Sequence, residues 1–126
     1  MRVPLHAEIA VAIGGAAGSV ARYAVTSAIQ RRSPTAFPLA TFAINLLGSF
    51  ALGVILGTFS ASQPSSVGAQ LLLGTGFCGG FTTFSTFSYE TIALVRDGRH
   101  ALAFAYVASS LAINIVAAAA GLALAR

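Results

Sequence analysis

Residues 74–90 combine small, hydroxyl-bearing and aromatic side chains within an otherwise apolar part of the chain. The run contains four Gly and six Ser or Thr residues. Because Gly lowers helix propensity and β-branched Thr restores little of it, we expect a helix to break near residues 79–83. Main-chain carbonyl groups released by such a break can bind a cation. The alternative is a continuous helix whose hydroxyl groups donate back to their own backbone.

Two phenylalanines, Phe84 and Phe87, follow the expected break at a spacing that puts both rings on one helix face. Pairs of this kind commonly pack in a protein core. An aromatic ring also has an electropositive edge, so rings presented edge-on stabilise an anion without a full positive charge. Conduction requires a weak attraction of that kind, because a deep electrostatic well holds the ion. The pair therefore indicates either core packing or an anion path.

Polar side chains form one stripe on each of two other apolar segments. The first stripe is Thr41, Asn45 and Ser49, and the second is Tyr106, Ser110 and Asn114. Since the members of each stripe are four residues apart, they share one helix face. Their neutral hydrogen-bond donors can replace the water shell of an anion, and the alternative is hydrogen bonding between helices. Two stripes together with a broken helix favour a polar path.

Arg22 and Glu90 are the ionisable residues inside the apolar segments. A charge at membrane depth is costly, which makes both residues functional candidates. Arg22 either extends to the membrane surface or gives an entrance vestibule a positive charge that attracts anions. Glu90 has no accompanying series of His or acidic residues, so we interpret it as an acceptor for hydroxyl groups or Arg rather than as a proton carrier.

The composition places these residues in a membrane. Of the 126 residues, 56% are hydrophobic and 8% are charged, whereas soluble domains carry about 25% charged residues. The stretch between Arg32 and Glu90 contains no charged residue. The net charge of +4 comes from scattered Arg residues rather than a basic run, which argues against nucleic-acid binding. Cys78 is the single cysteine, so an intramolecular disulfide is excluded.

Four apolar segments predict an all-α membrane protein with four transmembrane helices in a single domain over residues 1–126. Each span needs about 20 residues, so the remainder suffices only for short links and tails. The expected helices cover residues 5–30, 38–60, 67–95 and 101–124, and the third is broken near its middle. A signal peptide is the alternative for the first segment, but Glu8 and an apolar run that continues to Ile29 favour a spanning helix.

The charges next to these segments leave the orientation of the chain open. Four spans place Arg31, Arg32, Arg96 and Arg99 on one side of the membrane and Arg2 and Arg126 on the other. So weak a bias permits insertion in either direction and hence an antiparallel pair of identical chains. One fixed orientation, with both termini outside, is the alternative.

Glycine pairs at four-residue spacing predict close helix packing. The pairs are Gly14 with Gly18, and Gly53 with Gly57. Small residues let helix backbones approach, and dispersion contacts then stabilise the association of helices in lipid. The spacing does not distinguish packing within one chain from packing between chains.

Together these motifs resemble the CrcB/Fluc family of microbial fluoride channels. The resemblance rests on Gly-Gly-Phe-Thr-Thr-Phe-Ser-Thr-Phe-Ser at residues 79–88, on Asn45 within Thr-Phe-Ala-Ile-Asn-Leu-Leu-Gly, on Arg22 after Gly-Gly-Ala-Ala-Gly, and on Tyr106 with Ser110. It covers nearly the whole chain. It implies a dual-topology homodimer, in which two antiparallel chains enclose two separate fluoride pores.

The resemblance also implies roles for individual residues. The residues expected along the fluoride path are Phe84, Phe87, Asn45, Tyr106, Ser110, Thr41 and Thr83. The main-chain carbonyl groups of Gly79 and Thr82 are expected to bind a structural sodium ion shared by both chains. Arg22 and Glu90 are expected to support the vestibule and the path. Asn114 stands where some relatives carry Ser, and its role is left open.

The function implied by the resemblance is passive, fluoride-selective anion conduction across the cell inner (plasma) membrane. Such a channel exports cytoplasmic fluoride and protects against its toxicity, with no enzyme activity and no organic cofactor. A small multidrug transporter, one alternative, needs a central carboxylate in its first helix, and Glu8 lies too near the start. A non-conducting assembly or anchor subunit, the other alternative, leaves both polar stripes unexplained.

Overall fold

The computed structural model describes residues 5–59 and 66–125, and in this part of the chain all regular structure is helical. Helix α1 covers Leu5–Arg32 and α2 covers Leu39–Thr58. A third helical stretch, α3, joins Val67–Ala69, the π-helical Gln70–Cys78 and Gly79–Phe81. Helix α4 covers Phe84–Arg96 and α5 covers His100–Leu124. The predicted all-α class is confirmed.

The helix boundaries follow local signals in the sequence. Pro38 precedes α2, where its fixed φ suits the start of a helix and its missing N–H costs no hydrogen bond. Helix α4 ends at a turn in which Gly98 takes a φ of +75°. The N–H of Gly98 donates to the carbonyl of Val95, and that of Arg99 donates to Leu94. The predicted end of the second helix near Ser60 lies outside the described residues.

The third predicted helix is broken, as the Gly and Thr content indicated. Thr82 and Thr83 are extended, with φ/ψ of −79°/159° and −151°/119°. Thr83 also caps α4, because its Oγ1 accepts a hydrogen bond from the N–H of Thr86 at 3.2 Å. A cap of this type replaces a main-chain bond that the first turn of a helix lacks. The continuous-helix alternative is therefore excluded.

Three of the helices, α1, α2 and α5, are long and apolar enough to cross a membrane. At a rise of 1.5 Å per residue, a helix of about 20 residues matches the roughly 30 Å hydrocarbon core of a bilayer. Large apolar side chains also cover the outside of the chain, including Tyr23, Phe104 and Ile115, which are 69–76% exposed. These features indicate a multi-pass membrane protein. That α3 and α4 together form the fourth membrane crossing stays a prediction.

Helix α1 contacts α3 through glycines with no room for a side chain. A Cβ atom on Gly14 would overlap the carbonyl oxygen of Leu72, and one on Gly18 would overlap that of Phe77. The π-helical turns of α3 are wider than α-helical turns, so the small residues of α1 accommodate them. This glycine pair therefore packs within the chain.

Helices α2 and α5 also contact each other through glycines that have no room for a side chain. A Cβ atom on Gly53 would overlap the carbonyl oxygen of Ala118, and one on Gly121 would overlap that of Phe50. A Cβ atom on Gly57 would lie 2.7 Å from the Cβ of Ala125. The second predicted glycine pair thus also faces a helix of its own chain.

We expect Gly18→Ala to destabilise the fold by about 1 to 3 kcal/mol, because the added methyl group must push two backbones apart. Thermal unfolding of the detergent-purified protein measures this effect. Cys78 is 2% exposed, so a thiol-reactive fluorophore reports unfolding. The matched control is Gly68→Ala, since a Cβ atom on Gly68 meets nothing within 4 Å. Equal unfolding temperatures for the two variants would contradict the proposed α1–α3 contact.

Candidate functional site

The side-chain amide of Asn45 on α2 pairs with the extended backbone at the break. Its Nδ2 donates to the carbonyl of Thr83 at 3.0 Å, and its Oδ1 accepts from the N–H of Thr83 at 2.8 Å. One side chain therefore satisfies both main-chain groups of a residue that is outside any helix. Because Nδ2 carries two hydrogens, one donor of Asn45 is not used in this pairing.

The break releases the carbonyl groups of Gly79 and Thr82. In a continuous helix these groups would accept from the N–H groups of Thr83 and Thr86, four residues later. Here the N–H of Thr83 donates to Asn45 and that of Thr86 donates to the hydroxyl of Thr83. Gly79 is exposed, and a Cβ atom on it would meet nothing within 4 Å. Its surroundings therefore leave space for a ligand.

Glu90 links three helices through its two carboxylate oxygens. Thr41 on α2 donates to Oε1 at 2.9 Å, and Tyr106 on α5 donates to Oε2 at 2.7 Å. Hydrogen bonds to a charged acceptor are worth about 1.5 to 3 kcal/mol each. The interpretation of Glu90 as an acceptor for hydroxyl groups is confirmed.

The two predicted phenylalanines lie in different environments. Phe87 is 8% exposed, and its ring centroid lies 5.1 Å from that of Tyr106. Phe84 is 73% exposed and lies 5.5 Å from Phe87, centroid to centroid. Phe37 completes this cluster at 5.4 Å from Tyr106, although it lies in the link before α2 and its sequence context gave no signal. One ring of the pair is therefore packed in the core, and the other extends from it.

An open cavity of about 610 Å³ lies beside the break, and its lining residues come from the break itself and from α2, α3, α4 and α5. Seven of the residues selected from the sequence line it: Asn45, Ser49, Gly79, Thr82, Thr83, Phe84 and Asn114. Sixteen of the described residues line the cavity, and all sixteen are uncharged. The cavity thus combines neutral polar groups with an exposed aromatic ring, and its described lining places no fixed charge where it would trap an ion.

The other selected residues are packed away from this cavity. Thr41 and Tyr106 are 3% and 0% exposed and contact Glu90, as described above. Ser110 is 3% exposed and follows Tyr106 by one helical turn. In the described part of the chain, the buried atoms Ser110 Oγ and Asn114 Oδ1 have no hydrogen-bond partner. Along α5, the second stripe therefore begins with the hydrogen-bonded hydroxyl of Tyr106. It continues with polar atoms of Ser110 and Asn114 that have no partner in the described chain.

Arg22 reaches the break from α1. Its Nε donates to the carbonyl of Gly80 at 3.0 Å, and the side chain is half-buried. The sequence placed Arg22 inside an apolar segment but gave no indication of this partner. A second contact that the sequence did not indicate joins Gln70, at the start of the π-helical turns, to the carbonyl of Phe59 after α2.

Comparisons with known proteins agree with the geometry. A family profile described as CrcB-like protein, Camphor Resistance (CrcB), matches residues 9–122. The fluoride-specific ion channel FluC of Chlorobaculum tepidum is 53% identical, over 92% of this chain and 91% of its own. The protein of that name from Acidobacterium capsulatum is 46% identical, over 85% and 86% of the two chains. Fluoride-specific ion channel FluC 1 of Frankia casuarinae is 45% identical, over 92% and 93%.

The profile match over residues 9–122 includes the break, both polar stripes and most of each helix that the structure describes. The profile alone covers far more than half of the chain. The chain therefore belongs to the CrcB family of fluoride ion channels and is not an enzyme.

Proposed function

We propose that this chain forms a passive, fluoride-selective channel that exports cytoplasmic fluoride and protects the cell against fluoride toxicity. The observation that carries the proposal is the cavity at the break, whose described lining is uncharged and includes both Asn45 and the exposed Phe84 ring. A small, strongly hydrated anion needs hydrogen-bond donors in place of water, and weak binding lets it leave again.

The path follows neutral donors and ring edges. Asn45 contributes the amide hydrogen that Thr83 does not use, and Ser110 contributes a hydroxyl without a partner in the described chain. The Glu90 carboxylate accepts hydrogen bonds from the hydroxyl groups of Thr41 and Tyr106, and the Tyr106 ring packs against Phe87. Selectivity over chloride then depends on the width of the path and on donors spaced for a small anion. Thr83 supports the path at the break.

Acid chemistry explains the direction of transport. Hydrofluoric acid is weak and crosses membranes in its neutral form. It ionises in a less acidic cytoplasm, and the charged fluoride ion is trapped there. A passive channel lets the membrane potential, negative inside, expel the anion, so no coupled ion or nucleotide is needed.

The proposed assembly is a dual-topology homodimer in the cell inner (plasma) membrane, with two antiparallel chains enclosing two pores. Three observations support it. The cavity is open, and Ser110 and Asn114 have buried polar atoms without partners in the described chain. An unpaired buried polar atom costs about 1 to 3 kcal/mol. The weak bias of the Arg residues permits both orientations.

A structural sodium ion fits the released carbonyl groups of Gly79 and Thr82. Both residues line the cavity, and their usual helical donors are bonded to side chains instead. Main-chain carbonyl oxygens can replace the hydration shell of a monovalent cation. Two such groups from each of two chains would supply four oxygens to the ion. When bound, the ion would supply positive charge that holds the two breaks together.

Reconstitution tests the function directly. Liposomes loaded with potassium fluoride and containing the purified protein should release fluoride rapidly when valinomycin is added, because potassium efflux balances the charge. Liposomes loaded with potassium chloride should release little. A fluoride electrode and a chloride electrode measure the two rates. If liposomes that contain folded protein release no fluoride, the channel proposal fails and the transporter and anchor alternatives take its place.

Phe84→Ile should abolish fluoride release while the protein remains folded, because the aliphatic side chain has no electropositive edge. Phe104→Ile is the matched control, since Phe104 is 76% exposed on α5 and lies outside the cavity lining. The same liposome assay measures both variants, and size-exclusion chromatography checks their folding. Undiminished flux through the Phe84 variant would exclude this ring from the path.

Replacing sodium with potassium should lower the thermal stability of the purified dimer. A ligand present at 100 times its dissociation constant stabilises the bound state by about 2.7 kcal/mol, and that contribution is lost with the ion. Exchange of potassium for N-methyl-D-glucamine is the control and should change nothing. Unfolding temperatures that do not depend on sodium would contradict the proposed role of the Gly79 and Thr82 carbonyl groups.

A further inference from the structure

The carbonyl group of Gly80 is bonded differently from those of its neighbours at the break. In a continuous helix it would accept from the N–H of Phe84. Phe84 instead begins α4 beyond the extended residues, and the Nε of Arg22 donates to the Gly80 carbonyl at 3.0 Å. The last carbonyl groups of a helix need partners from elsewhere, and a cationic donor also complements the negative end of the helix dipole.

Close packing of α1 and α3 makes this bond possible. A Cβ atom on Gly18, one turn before Arg22, would overlap the carbonyl oxygen of Phe77. A Cβ atom on Gly80 would overlap the carbonyl oxygen of Gly15. Gly80 therefore faces α1 across a contact with no intervening side chains. Arg22 needs only the inner part of its side chain to reach the carbonyl group.

We infer that Arg22 is a positioning residue that caps the carboxyl end of α3 from the neighbouring helix. Its bond directs the Gly80 carbonyl towards α1. Gly79 and Thr82, by contrast, line the cavity, and their carbonyl groups are released from helical bonding. Arg22 thereby determines which carbonyl groups of the break are available to a ligand. The consequence for a sodium ion rests on the proposed function, whereas the cap itself does not.

A purely electrostatic role for Arg22 leads to different expectations. If only its charge mattered, as in an anion-attracting vestibule, any neutral residue would have the same effect. If the cap matters, the decisive property is an N–H donor at the correct distance. The Nε2 of Gln is the same number of bonds from Cα as the Nε of Arg, so Arg22→Gln retains the donor without the charge. Arg22→Met has a similar length but removes both.

Hydrogen–deuterium exchange of the purified full-length protein separates these roles. The readout is a peptide spanning residues 78–86, which contains the amides of Thr82 and Thr83, with a peptide from α5 as internal reference. We expect Arg22→Met to accelerate exchange in this peptide about tenfold, since a hydrogen bond to a charged donor is lost. Arg22→Gln should exchange at nearly the wild-type rate. The matched control Arg31→Met alters an exposed Arg on the same helix and should have no effect.

If the peptide exchanges at the same rate in Arg22→Gln and Arg22→Met, whether fast or slow, the proposed cap is wrong. If Arg22→Met does not yield folded protein, Arg22→Gln alone decides, because wild-type exchange supports the cap and accelerated exchange contradicts it. Fluoride release is measured separately on the same preparations. Exchange that follows the expected order in protein that does not conduct would leave the cap standing and reject the proposed function.

Discussion

A broken helix in apolar surroundings needs a partner for each main-chain group that it exposes, and the fold is arranged around this need. The amide of Asn45 pairs with both main-chain groups of Thr83, and the hydroxyl of Thr83 caps α4. Arg22 supplies a donor to the carbonyl of Gly80. Without these side-chain partners, each unpaired main-chain group at the break would raise the free energy of the fold in hydrocarbon by several kcal/mol. None of these side chains bonds to the carbonyl groups of Gly79 and Thr82. The break therefore releases two specific carbonyl groups and does not loosen the helix as a whole.

These hydrogen bonds require helix backbones that approach closely, which explains where the glycines lie. Gly14 and Gly18 bring α1 against the wide π-helical turns of α3, and Gly53 brings α2 against α5. Dispersion contacts between backbones provide much of the attraction between helices in lipid, where burial of apolar surface contributes little. The same contacts place Arg22 within reach of the break. The packing of α1 against α3 and the bond from Arg22 to the break therefore depend on the same glycines of α1.

The polar residues divide into two sets with different consequences for an ion. Thr41 and Tyr106 are buried and donate to the half-buried Glu90 carboxylate, so each of its oxygens accepts a hydrogen bond from the protein. Asn45 and Phe84 border an open, uncharged cavity. A negative charge exposed on the path would repel fluoride, and an exposed positive charge would hold it. A cavity that is lined by neutral donors and a ring, with the Glu90 carboxylate bonded outside its lining, is consistent with a channel of the CrcB family.

The sequence by itself determined the membrane class, the helices, the break near residues 79–83 and the family, because these depend on composition, local propensity and motif order. It also identified Glu90 as an acceptor rather than a proton carrier, because no series of His or acidic residues accompanies it. Only the tertiary structure decided the partners: Asn45 pairs with Thr83, and Arg22 with Gly80. Stripes at helical spacing show which residues share a face but do not show what that face meets. Contacts between residues as distant as Arg22 and Gly80 depend on how the helices pack, and local sequence does not specify that.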